Sequence, residues 1–110
     1  MAEERELHEE MEVGMKNNYI QILIEAIDTF GHRMQTMVAI EEMSELTKEL
    51  VKHMRGRDNR DAIAEEMADV EIMMCQLRLM YGIKTTDMDA LIAGKINRLK
   101  ERMEEKKDNG

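Results

Sequence analysis

Proline and tryptophan are missing from this 110-residue chain, which holds one phenylalanine, two tyrosines and one cysteine. The aromatic and β-branched residues that pleated strands favour are scarce, which argues against a sheet. A single cysteine, Cys75, excludes an internal disulfide and fits a reducing cytoplasm. No apolar run reaches the roughly 18 residues that mark a membrane span. The opening MAEERELHEEMEV is acidic rather than signal-like. A net charge of −8 argues against a nucleic-acid surface built on overall positive charge. The expectation is a soluble cytoplasmic protein with neither membrane nor nucleic acid as partner.

What is present is thirteen methionines among many Leu, Glu, Lys, Ala and Arg residues, all good helix formers. The fold class expected is all-α. At this length the chain makes one domain, and a domain so small leaves much of its surface exposed, so oligomerisation would help it bury a core. The methionines read as adaptable core filler. Cys75, on an apolar helix without a basic partner on its own face, reads as a buried inert thiol.

Glycines punctuate the helical periodicity. Tyr19 to Phe30 is apolar at helical spacing and stops at Gly31. A second helix is expected from His32 to Arg55, ending at Gly56. Asp58 or Asn59 is the expected N-cap of a third, which reaches Tyr81 and stops at Gly82. Thr85 or Thr86 should cap a fourth, from Asp87 to about Glu105. Residues 1–16 form an N-terminal extension, 17–106 the helical domain and 107–110 a disordered tail.

The acids carry the chemistry. At about 100° per residue, Glu66 and Asp69 fall in or beside the sector of Ala62, Met73, Leu77 and Met80. Two carboxylates stand where a core seam would continue, and burying them unpaired costs several kcal/mol each. On the second helix Ile40, Met43, Leu46, Leu50, Val51 and Met54 share a broad side. Glu41, Glu42, Glu45 and Glu49 lie roughly opposite, facing either a second interior or water. A hairpin centred near Arg55 and Gly56 sets position i beside 111 − i, so Glu45 faces Glu66 and Glu42 faces Asp69. Glu42, Glu45, Glu66 and Asp69 then converge and repel unless divalent cations lie between them. Hard oxygen donors suit Mg²⁺ or Mn²⁺. No histidine follows a glutamate by three residues, which argues against a di-iron bundle.

The pattern Glu41-Glu42-x-x-Glu45, twenty residues, then Glu66-x-x-Asp69 resembles the EExxE…ExxD signature of the all-α nucleoside triphosphate pyrophosphatases, the MazG-like superfamily. The likeness extends from Tyr19 through TFGHRMQTMVAIEEMSEL to KINRLKERM. It implies a MazG-type four-helix bundle working as a homodimer or homotetramer, often with its site near a subunit interface. It further implies Mg²⁺-dependent cleavage of a nucleoside triphosphate between the α and β phosphates, giving monophosphate and pyrophosphate in nucleotide-pool house-cleaning. Glu42, Glu45, Glu66 and Asp69 take the metal-ligand positions of the motif. Glu41 or Glu45 would accept the proton from water.

Lys95, Arg98 and Arg102 edge the apolar stripe of the fourth helix, and the resemblance gives Lys95 and Arg98 to the substrate phosphates. The other reading of that row is a rim of surface cations. Gln35, two turns before Glu42, is either a base- or sugar-binding amide or a surface one. Tyr19, Phe30 and Tyr81 are candidates for base stacking or for core. Two rival functions stand: a non-enzymatic helical interaction protein, and a phosphoribosyl-ATP pyrophosphohydrolase-like enzyme of the same superfamily.

Overall fold

The computed structural model describes residues 15–109, so the expected extension lies almost wholly outside the described residues. The described chain is all-α, with four helices and no strand: α1 (Asn17–Phe30), α2 (His32–Met54), α3 (Arg60–Tyr81) and α4 (Thr85–Asn109). None is long and apolar enough to cross a membrane.

Single glycines do much of the turning. Gly31 has φ 89° and ψ 158°, a region that residues bearing a Cβ avoid. Its N–H donates to the Ile27 carbonyl (2.8 Å) and its own carbonyl accepts from Gln35 N–H (3.1 Å), so one residue ends α1 and starts α2. Gly82 adopts the left-handed conformation at the end of α3, where the Ile83 N–H returns to the Arg78 carbonyl (2.9 Å). The threonines do not cap α4. Thr85 is already helical, its hydroxyl is buried without a partner, and the Lys84 carbonyl accepts from Met88 N–H. At the other end α4 continues to Asn109, past the expected stop at Glu105, and residues 107–109 are helix rather than a tail.

α2 and α3 form an antiparallel hairpin, the most extensive packing in the chain. Gln35 Nε2 donates to Gln76 Oε1 at 2.7 Å, both residues being buried, and Thr36 Oγ1 lies 3.1 Å from the Tyr81 hydroxyl. The Gln35–Gln76 pair obeys the expected 111 − i register. At the turn, Asn59 stands at the N-cap position of α3 but does not cap it. Its amide instead donates to the Glu49 carbonyl (2.9 Å) and to Glu49 Oε1 (3.0 Å), tying the start of α3 back to α2. α1 crosses this hairpin, and Ile20, Leu23 and Cys75 make a small core flanked by Ile24 and Leu79.

The sector of α2 that faces inward holds Gln35 and Ala39, with Glu42, Leu46 and Glu49 partly covered. Most of the broad apolar side of α2 is outside: Ile40, Met43, Leu50 and Val51 are 41–56 % exposed and Met54 is 84 % exposed. Methionine is mostly a surface residue here, and Met73 alone among the described methionines is buried. α4 packs only marginally on the other helices, so the described chain is a three-helix body with a projecting fourth helix, not a closed four-helix bundle. Its radius of gyration, 17.3 Å, exceeds the about 13 Å of a compact chain of this length.

The buried amide pair gives a stability prediction. Gln35→Leu leaves the Gln76 amide buried without its partner and lowers unfolding free energy by about 1–3 kcal/mol. Gln35→Leu/Gln76→Leu recovers most of the loss, as read from urea unfolding of the three proteins.

Candidate metal centre

Glu42 lies two turns beyond Gln35 on α2, and Glu66 and Asp69 lie one turn apart on α3. The hairpin register therefore brings three carboxylates from two helices to one level. One oxygen from each of Glu42, Glu66 and Asp69 lies within 4.8 Å of the others. Glu42 and Glu66 are partly buried, while Asp69 is exposed and forms the outer lip, so only one of the two α3 acids stands inside the seam. Glu66 Oε2 is buried with no hydrogen-bond partner. An anionic oxygen removed from water and left unpaired is unfavourable, and it signals a missing proton, water or cation.

Electrostatics agree with crowding. Partial burial raises the Glu42 carboxyl above its ordinary range, and Asp69, by charge and by a side-chain hydrogen bond, together with Glu66 and Glu45, raises it further. Burial likewise raises Glu66, followed by the charges of Asp69, Glu45, Glu49 and Glu65. Glu49 behaves oppositely, because the Asn59 amide and then Lys52 hold its carboxylate below the usual range. Its Oε2 accepts from Lys52 Nζ at 2.9 Å. One face thus carries a satisfied carboxylate at the turn and an unsatisfied group one to two turns away.

Glu45 acts on this group by its charge but is not among the converging oxygens. It is exposed and its Oε1 pairs with Lys48 Nζ at 3.1 Å. Glu41 is exposed and stands outside the group. Gln35 is buried in its bond to Gln76, so its amide is a structural clasp in this chain and not an open base- or sugar-binding group. Lys95 and Arg98 are exposed on α4, which does not lie along the hairpin. Tyr19, Phe30 and Tyr81 are all exposed rather than core. Cys75 is buried, and burial raises its thiol above the ordinary range, as an inert thiol requires.

Sequence reasoning missed Asn59 as the clasp on Glu49. The signal was an asparagine immediately outside the helix, whose side chain prefers a backbone partner and took one across the turn. The donor set of the centre is all carboxylate oxygen, with an unpartnered buried atom, and it fits a hard divalent cation. No protein-family model, no curated protein and no solved structure matches this chain.

The raised carboxyls set a pH dependence. Glu42 and Glu66 keep protons in the fold at pH values where the unfolded chain has released them. Their contribution is therefore favourable at low pH and is lost as pH rises through their raised pKa values. In EDTA at neutral pH, Glu42→Gln is expected to raise the melting temperature by a few degrees. The gain disappears as pH falls into the ordinary carboxylate range. Thermal unfolding followed by circular dichroism reads this, and a lower melting temperature for the variant in EDTA at neutral pH contradicts it.

Proposed function

We propose that this chain is a Mg²⁺-dependent nucleotide pyrophosphohydrolase of MazG-like type, with Mn²⁺ as an alternative cation. It would cleave an NTP or dNTP between the α and β phosphates to release a monophosphate and pyrophosphate. The observation that carries the reading is the convergence of Glu42, Glu66 and Asp69 from two helices within 4.8 Å around an unpartnered buried oxygen. These residues stand at the acidic positions of the EExxE…ExxD pattern.

In this reading Glu42, Glu66 and Asp69 hold the cation through carboxylate oxygens, and Glu45 joins them by leaving Lys48. When bound, the cation would neutralise charge on the phosphates and on the departing pyrophosphate. The hairpin's own part is positional: two adjoining rigid helices fix the acids at one level, with Asp69 at the open edge where a phosphate would enter. Glu41 or Glu45, both solvent-facing, accepts the proton as water attacks. Lys95 and Arg98 supply phosphate contacts from α4, from the same copy or another within a homodimer or homotetramer. House-cleaning of the cytoplasmic nucleotide pool is the corresponding role.

A second reading, a non-enzymatic helical interaction protein, is favoured by the apolar side of α2 that stays exposed. The two separate in one assay. Purified protein is given canonical and modified NTPs and dNTPs with Mg²⁺ or EDTA, and pyrophosphate and monophosphate are measured. The enzymatic reading expects Mg²⁺-dependent release of both products. It also expects a loss of more than about 100-fold in Glu42→Ala/Asp69→Ala, since even supporting residues at metal sites are worth about 10–100-fold. Absence of turnover with every triphosphate, together with a melting temperature indifferent to Mg²⁺, leaves the interaction protein.

A further inference from the structure

We propose that Lys48 competes with a divalent cation for the Glu45 carboxylate, and so sets the cation concentration at which the centre of Glu42, Glu66 and Asp69 fills. The proposal rests on the metal-dependent reading above and gives a role to a residue outside the acidic pattern.

Two glutamate–lysine pairs of identical spacing follow one another along α2, and their surroundings differ. In the Glu49–Lys52 pair both carboxylate oxygens are engaged. Glu49 Oε2 accepts from Lys52 Nζ (2.9 Å), and Oε1 accepts from the Asn59 amide (3.0 Å), which reaches across the turn from the start of α3. The Glu49 side chain is only 15 % exposed, so this carboxylate is fixed in place. In the Glu45–Lys48 pair the ammonium, 3.1 Å from Glu45 Oε1, is the one hydrogen-bond partner of the Glu45 side chain among the described residues. Both members face water, with side chains 48 % and 64 % exposed. An exposed pair of this kind is worth no more than about fivefold in an equilibrium. Glu45 can therefore turn without breaking a buried contact, and Glu49 cannot.

The hairpin register sets where Glu45 would turn. It stands one turn from Glu42 on α2 and opposite Glu66 in the 111 − i pairing, and its charge already acts on both of those carboxyls. The converging oxygens come from three residues, whereas hard divalent cations take about six or more oxygen ligands. A fourth carboxylate within reach of a side-chain rotation supplies part of the difference. Turning inward gives up the ion pair with Lys48, which is the competition proposed. It weakens as salt screens the exposed pair.

The test is binding of Mn²⁺, read from loss of the free-ion signal in electron paramagnetic resonance, with stabilisation by Mg²⁺ in thermal unfolding as a second readout. Circular dichroism verifies that each variant is folded. Lys48→Met is expected to bind Mn²⁺ about 3- to 10-fold more tightly than the wild type at low salt, the gap closing to under about twofold in about 0.5 M KCl. Lys48→Arg keeps the charge and the pair and is expected within about twofold of the wild type. Glu45→Gln is expected to weaken binding, and adding Lys48→Met to it changes affinity by less than about twofold, because the lysine then has no carboxylate to withhold. Unchanged affinity in Lys48→Met overturns this proposal alone. So does a gain that persists in full on the Glu45→Gln background, which makes Lys48 a distant repelling charge and not a competitor. Absence of Mn²⁺ binding and of Mg²⁺ stabilisation in the wild type and every variant overturns the metal reading together with this proposal.

Discussion

One hydrogen bond, 2.7 Å long and buried between Gln35 and Gln76, fixes the register on which everything else in this molecule rests. An amide pair inside a sparse core contributes little net energy while it is made, but each partner is expensive to leave alone. A slip of one residue between α2 and α3 would break it and rotate each helix by about 100° relative to the other. In the observed register Glu42 meets Asp69, Asn59 reaches Glu49, and the apolar sectors of both helices come to one side. Specificity of alignment, more than bulk burial, is what this pair supplies.

The hairpin consequently has two unlike sides. Along one edge the same register that satisfies Glu49, through Asn59 and Lys52, forces Glu42, Glu66 and Asp69 together, with no ion pair to any of the three among the described residues. Lys48, two turns along α2 from Glu42, is engaged by Glu45. The fold thus tolerates an electrostatic penalty at a defined level of two rigid helices, a pattern associated with sites that exchange the penalty for a ligand. On the other side, methionines and aliphatic residues stay exposed, about 90° around each helix from the sector that the hairpin covers. Both departures accompany a rotation of the helices that buries the Gln35–Gln76 amide pair.

Much of this was legible in the sequence, and the rest failed for a common reason. Gly31, Gly56 and Gly82 marked the helix ends because each needs a conformation closed to other residues, and the short link at Gly56 fixed the 111 − i pairing that brings Glu42 to Asp69. Helical periodicity, however, reports where apolar residues are, not which side the chain itself covers. It therefore grouped Ile40, Met43 and Leu50 on one side without telling that this side stays exposed, and offered Gln35 to solvent or substrate when its amide is buried. The direction in which Glu45 turns was decided by Lys48 three residues on, an interaction that the motif pattern does not contain. The separation of α4 from the body was also invisible, since its apolar stripe is as regular as that of a helix packed within its own chain.

Gly31 has a mechanical meaning as well as a conformational one. The last hydrogen bond of α1 and the first of α2 both end on this residue, so no intervening segment damps the joint between them. From that pivot α1 extends about 21 Å, seated by buried Ile20, Leu23 and Ile27. A change of about 10° at that pivot carries the Asn17 end through about 4 Å, while the helix itself stays intact. The recess that Met15, Tyr19 and Ile22 form against Ile72 lies at this far end, where displacement is greatest. The width of that recess thus depends on the torsions of Gly31 at the opposite end of the helix as well as on the seating of Ile20 and Leu23 beside it.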